Sequence, residues 1–312
     1  MAQPTMASYL GAVNVDVPGV LVGHWSDQEA RTGCTVVLLP DATVCSGEVR
    51  GGAPATREFE LLDPRRLVAH VNAVVLSGGS AFGLASCEGV VDWCVEHDRG
   101  FATDAGVVPI VVGMSLFDLL VGDGSVRPGA AQGRLAAEAA AATFATGPVG
   151  AGTGATAGKW RGRELGYDAG FGAVTVTRGD LVVQAYVAAN PAGDIDDGVA
   201  AQQIASGTFD WPVDPDQAAG DDSGEGGAGA SGAFANTTLG VIVTNAALDK
   251  GQCRLVAEGG HDGFARALFP PHRLVDGDAI VAAATGTIEA PVDVVRTMGV
   301  IAVEQAIRSL RP

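Results

Sequence analysis

Asn236-Thr237-Thr238 opens a β-branched, apolar run that reaches Thr244, directly behind an acidic segment rich in Gly and Ser. A threonine in that place could work as an N-terminal nucleophile. Its hydroxyl would attack the Asn236 carbonyl, and water would release the resulting ester. Thr237 would then carry a free α-amine, whose unperturbed pKa of about 7.7–8.0 suits it to act as base for its own hydroxyl. A Thr-Thr pair is also what plain β-propensity puts at the start of a strand, so the tripeptide alone leaves both readings open. Of 19 Lys and Arg residues only two are lysines, Lys159 and Lys250. Under such a bias a retained lysine suits a site that needs a compact ammonium, although a solvated surface lysine is the plainer reading.

Other elements must hold Thr237 in place. Residues 35–39 (TVVLL), 72–76 (NAVVL) and 108–113 (VPIVVG) are apolar runs bounded by turn residues and read as buried strands. Ser77-Gly-Gly-Ser80 and a helical pattern over about 81–97, with Leu84, Val91 and Cys94 on one side, follow the second run. That order is typical of a layered α/β protein. The Ala-rich stretch 130–146 reads as a helix. Residues 173–178 and 181–189 flank Gly179-Asp180, a hairpin signal. The second of these strands ends at Asn190-Pro191, because proline cannot continue a central strand. Residues 214–233 hold too few large apolar groups to order themselves and read as a mobile linker. A strand from about Thr237, a helix over about 249–268, a strand over 278–284 and a helix from about Pro291 complete the chain. Val295, Met298, Ala302, Ala306 and Leu310 form the apolar stripe of the last helix. The sequence shows no internal repeat. A long structureless insert inside a compact domain calls for a reason, and a processing site at its end supplies one.

The 312 residues, 47% hydrophobic and 18% charged, suit a globular protein with a sizeable core. A net charge of −17 argues against nucleic acid or an anionic membrane as partner. The chain has neither a membrane-length apolar run nor the pattern of a secretory signal. Cys34, Cys45, Cys87, Cys94 and Cys253 are odd in number and form no CxxC pair. They read as reduced core residues of a cytoplasmic protein. The five histidines, His24, His70, His97, His261 and His272, show no metal-ligand spacing. Gly152-x-Gly154-x-x-Ala157 matches a relaxed dinucleotide fingerprint, but a helix rather than a strand is expected before it. Ser77-Gly-Gly-Ser80 could present backbone amides to an anion or simply pack a strand tightly on a helix. No cofactor and no metal are expected.

Five segments, in order, carry a resemblance over nearly the whole chain: Arg50-Gly-Gly-Ala-Pro-Ala-Thr-Arg-Glu58, Val75-Leu-Ser-Gly-Gly-Ser-Ala-Phe-Gly83, Gly150-Ala-Gly-Thr-Gly-Ala-Thr-Ala-Gly-Lys159, Asn236-Thr-Thr-Leu-Gly-Val-Ile-Val-Thr244 and Asp276-Gly-Asp278. The sequence resembles the L-aminopeptidase/D-esterase (DmpA-like) family, which includes β-peptidyl aminopeptidases and nylon-oligomer hydrolases. The resemblance implies a four-layer αββα sandwich of the DmpA/ornithine acetyltransferase type, N-terminal nucleophile hydrolase-like. It implies one α/β domain over 1–312, self-cleaved into chains 1–236 and 237–312 that stay together, and a homo-oligomer, by family a tetramer. It makes Asn236–Thr237 the cleaved bond and Thr237 the nucleophile. Asn190 would donate to the oxyanion, Asp276 and Asp278 would hold and tune the nucleophile and its amine, and Lys159 would lower the pKa of that amine or bind negative charge. Taken singly, Asn190 is also a turn residue, Asp276-Gly-Asp278 an exposed turn and Lys159 a solvated lysine. The family's tyrosine after the strand at 108–113 is missing, since that stretch reads Met114-Ser-Leu-Phe-Asp118.

The resulting expectation is a self-processing hydrolase of small peptides or amides, with nylon-type oligomers included. Two rivals remain. One is an ornithine acetyltransferase-like enzyme that passes the acyl group to an amine. The other is an uncleaved, non-enzymatic relative.

Overall fold

Runs that are apolar without alternation become inner strands, covered on both faces. The protein, seen in a computed structural model, is described over residues 11–211 and 236–311. The predicted linker 214–233 lies outside the described residues. Two five-stranded sheets are built from β1 (Leu21–Asp27), β2 (Thr32–Leu38), β3 (Val44–Val49), β4 (Ala55–Arg57), β5 (Ala73–Ser77), β6 (Val111–Ser115), β7 (Gly170–Arg178), β8 (Leu181–Asn190), β9 (Thr237–Ala246) and β10 (Ala279–Ile288). The helices are α1 (Ser86–Glu96), α2 (Ala130–Glu138), α3 (Val199–Ala205), α4 (Lys250–Ala267) and α5 (Val292–Arg308).

One sheet runs β1-β2-β5-β6-β4 and the other β7-β8-β9-β10-β3. They follow one plan. Each begins with an antiparallel hairpin, adds an antiparallel third strand, pairs that strand in parallel with the fourth, and ends on an antiparallel edge. Parallel neighbours need a crossover, supplied by α1 between β5 and β6 and by α4 between β9 and β10. One edge crosses over: β3 comes from the N-terminal half yet closes the C-terminal sheet.

The period of two along each strand divides the core. Val74, Leu76, Met114, Tyr186, Leu239, Val241 and Val281 meet between the sheets. Val183, Ile242 and Ile280 face α4 and α5, and Val36, Val75 and Val111 face α1 and α2. The layers are therefore helices, sheet, sheet, helices, the expected αββα sandwich. The five cysteines are buried, unbridged thiols.

Local chemistry accounts for most boundaries. Gly179 takes a φ of 59°, as a two-residue hairpin turn requires. Asp249 and Gln252 close a reciprocal cap on α4, with N–H···O distances of 2.8 and 2.9 Å. The five residues named for the final stripe are all buried. Three expectations need correction. The 130–146 helix stops at Glu138, and Thr143–Thr146 is a strand paired with Gly11–Asn14. β-Branched Thr143 and Thr146 and buried Phe144 suit a strand, but the alanines ahead of them mask the change. The strand at 108–113 splits at Pro109, with Gly106–Val108 in a separate hairpin and β6 starting at Val111. The 81–97 helix opens as a tight 3-10 turn over Ser80–Ala85, and its buried side runs through Cys87, Val90 and Cys94.

Lys250 bears out the reasoning about rare lysines. Its ammonium reaches the carbonyls of Leu61, Arg66 and Val68 at 2.7, 3.0 and 2.6 Å. Three converging carbonyls suit a compact ammonium better than a planar guanidinium.

Candidate active site

Thr237 is the first residue of β9 and is 4% exposed. It lies opposite Asn190, the last residue of β8. Asn236, just ahead of it, bridges in parallel to Asp276. The Asn236 carbonyl accepts the Gly277 N–H at 3.1 Å, and the Thr237 hydroxyl lies against that same oxygen. Gly277 has to be glycine, because a Cβ there would stand 2.6 Å from Thr237 Oγ1 and 2.8 Å from the Ala53 carbonyl oxygen.

The Asp276-Gly-Asp278 turn precedes β10 with both carboxylates 1% exposed. Asp276 accepts from the Ala192 N–H at 3.1 Å and the Arg273 N–H at 2.8 Å. Asp278 accepts from the Thr238 N–H at 2.7 Å and faces His272 Nδ1 at 2.8 Å. The Arg50–Ala53 strand extension straps the turn from below. The Arg50 and Gly51 amides donate to the Asp278 carbonyl, and Ala53 donates to that of Asp276. A Cβ on Gly51 would stand 2.3 Å from the Asp276 carbonyl oxygen and the Asp278 nitrogen, so this approach explains the Arg-Gly-Gly motif. Burial, and then the neighbouring Asp278 charge, push the Asp276 carboxyl up to about 6.

Asn190 is fully buried. Its Oδ1 accepts from the Thr156 N–H at 3.0 Å and Lys159 Nζ at 2.8 Å, and Nδ2 donates to the Phe117 carbonyl at 2.9 Å. Those donors fix which way the amide points. Burial holds the Lys159 ammonium down at about 7, opposed by the charge of Asp276 and assisted by that of Arg163. Beside it opens a cavity of about 170 Å³ walled by Phe117, Leu120, Val121, Thr156, Arg163 and Gly166.

The structure thus brings Asn190, Lys159, Asn236, Thr237, Asp276 and Asp278 to one end of the C-terminal sheet, where β8, β9 and β10 begin or end. No tyrosine among the described residues lines the cavity; Tyr167 instead accepts from the Ile195 N–H and Tyr186 lies between the sheets. Phe117 stands in the stretch where the tyrosine was missed, and offers its carbonyl to Asn190.

Sequence reasoning missed His272 and the Gly277 N–H. A lone histidine six residues ahead of Asp278 carries no spacing signal, and a main-chain donor carries none at all. The Ser77–Ser80 turn does meet an anion, but an internal one. Gly79 N–H and Thr32 Oγ1 each donate to the buried Asp118 carboxylate at 2.7 Å.

Comparison with known proteins came out consistently. The model of peptidase family S58 matches residues 14–310. An uncharacterized aminopeptidase of Mycobacterium leprae is 41% identical over 305 residues, covering 91% of this chain and 81% of its own. A 6-aminohexanoate-oligomer endohydrolase of Paenarthrobacter ureafaciens is 30% identical over 295 residues, covering 88% and 76%. Among solved structures, the L-aminopeptidase D-Ala-esterase/amidase of Ochrobactrum anthropi, described as a variant of the Ntn hydrolase fold, aligns with a TM-score of 0.69 at 20% identity, covering 95% of this chain and 84% of that one. A Burkholderia β-aminopeptidase aligns with a TM-score of 0.67 at 22% identity, with the same coverage. Both structures share the fold.

Proposed function

The chain belongs to peptidase family S58 and is a hydrolase of amide bonds, and on that premise we propose that Thr237 cuts the chain before itself and then serves as the N-terminal nucleophile. In the first reaction Thr237 Oγ bonds to the Asn236 carbonyl carbon. The C–N bond breaks, and the hydroxyl proton passes to the departing α-nitrogen. Water then hydrolyses the ester, leaving an Asn236 carboxylate and a free Thr237 amine. In turnover that amine takes the hydroxyl proton while Oγ attacks a substrate amide. The amine product leaves with the proton, and water releases the acyl group.

One observation carries this reading: the Gly277 N–H rests on the carbonyl that would be attacked, with the attacking hydroxyl beside it. A donor already aimed at the developing oxyanion costs no reorganisation when charge appears there. For substrate, the Asn190 amide is the corresponding donor, with Lys159 and Thr156 fixing its orientation. The partly apolar, cationic cavity beside Lys159 suits a small, chain-like amide, in keeping with the oligomer substrate named for the Paenarthrobacter relative.

Intact mass under denaturing conditions tests the proposal. Wild type should give fragments 1–236 and 237–312, and Thr237→Ala a single chain. A single chain from both would end the Thr237 reading.

A further inference from the structure

Asp278 has a partner to which the roles above give no work. His272 stands in the turn ahead of β10, its side chain 16% exposed. Its Nδ1 faces Asp278 Oδ2 at 2.8 Å, and its Nε2 faces the His261 carbonyl oxygen at 3.4 Å. A carbonyl and an ionised carboxylate only accept. The closer contact is met by an Nδ1–H that donates to Asp278. The other oxygen of Asp278 holds the Thr238 N–H, so one carboxylate links the ring to the backbone of the nucleophile strand.

We propose that His272 is a positioning residue for Thr237: it donates to Asp278 and aims that carboxylate at the Thr238 amide. The inference rests on the Thr237 reading above. The two acids lie in different surroundings, as a division of labour requires. Asp278 is held by the His272 ring and the Thr238 amide, while Asp276 is held by two main-chain amides and is the member pushed up to about 6. The groups around the ring agree with this. From α4 comes His261, which burial holds down at about 3 and so neutral, with Arg254 on the same helix. Glu48 and Arg50 lie at the end of β3, paired with each other. Arg273 and Lys159 both lie near enough to Asp276 to act on its charge.

The test compares wild type, His272→Ala and His272→Asn, the last keeping a donor near the Nδ1 place. Appearance of fragment 237–312 and turnover of a chromogenic ester are followed across pH, with melting curves as the control for folding. His272→Ala should slow both about tenfold at neutral pH, the worth of one charge-assisted hydrogen bond. It should lower kcat with KM little changed, because His272 holds the nucleophile strand and not the substrate. His272→Asn should recover most of the rate. The inference is overturned if His272→Ala melts and turns over like wild type, or if His272→Asn is as slow as His272→Ala while both melt normally. If the alanine variant does not fold, His272→Asn decides, and a folded variant slowed about tenfold or more overturns the inference. A wild type that yields no fragments would instead count against Thr237.

Discussion

The protein has two sheets of one design, and the proposed site lies at the mouth of one of them. In the first sheet the parallel pair β5 and β6 opens at Ala73 and Val111. Just ahead, Asn72 N–H donates to the Ile110 carbonyl, and Ile110 N–H returns to Asn72 Oδ1, both at 2.9 Å. A neutral side chain closes the pair on itself. In the second sheet β9 and β10 open behind Asn236-Thr237 and Asp276-Gly277-Asp278. There Gly277 donates to Asn236 in a comparable way, but the side chains are a hydroxyl and two buried acids. Asn236 Oδ1 and Thr238 Oγ1, on either side of Thr237, are buried without a hydrogen-bond partner among the described residues. The fold supplies the same kind of opening twice, and on the proposed reading side-chain choice leaves one structural and makes the other reactive.

The sharpest way to break this contrast is Thr237→Ala, expected to abolish fragments and lower amide hydrolysis by at least about a thousandfold, with Thr237→Ser retaining both. Normal hydrolysis by the alanine variant would move the chemistry elsewhere. Gly277→Ala comes next. Its methyl would crowd Thr237 Oγ1, and displacing a nucleophile by about 1 Å costs about a hundredfold, read as the rate of fragment appearance. Unchanged processing would mean that the Asp-Gly-Asp backbone is not held against the nucleophile.

A third prediction concerns pH. The Asp276 carboxyl is pushed up to about 6 in the folded chain, against an ordinary value of 3.8. The folded state therefore holds this proton more tightly than the unfolded state. Through this group, stability should fall as pH rises from about 4 to about 6. In a Thr237→Ala background, Asp276→Asn should flatten that part of the melting-temperature profile. A slope that persists would assign it to another group.

The smallest effect is expected at the other mouth. Asn72→Ala removes the acceptor for the Ile110 N–H and should cost about 1 kcal/mol in urea unfolding, with processing and turnover unchanged. Loss of activity at equal folding would show that the two mouths communicate.

The sequence exposes the two openings unequally. Inner strands such as Val36–Leu38 and Val74–Leu76 are legible because burial on both faces leaves uninterrupted apolar runs, and the hairpin is legible because Gly179 has a conformational duty. The end of α2 is not, since alanine suits a helix and says nothing about where it stops. The shared plan of the sheets is invisible too: packing asks only for apolar residues at alternate places, and many sequences satisfy that. At the site, the place of Thr237 behind a polar segment suggests a nucleophile, but the resemblance is what selects it. Asn190, Lys159, Asp276 and Asp278 are singled out only by resemblance, because each alone is an ordinary turn or surface residue. Gly277 and Gly51 look like generic turn glycines until the backbone is seen to pass where a Cβ would sit. His272 depends on a contact between a turn and a strand end, which no local pattern encodes.

The placing of β9 and β10 has a practical side. A cut before Thr237 would assign both strands to the shorter piece, yet β9 is laddered to β8 and β10 to β3, and those two belong to the longer one. The first sheet would stay whole in the longer piece, but neither piece would own the whole C-terminal sheet. Expressed apart, each would present long unpaired edges and stick to itself. Mixed from denaturant, they should reassemble as a split protein does, each supplying the strands the other lacks. The enzyme would thus behave as an obligate two-part complement, assembled before it is divided.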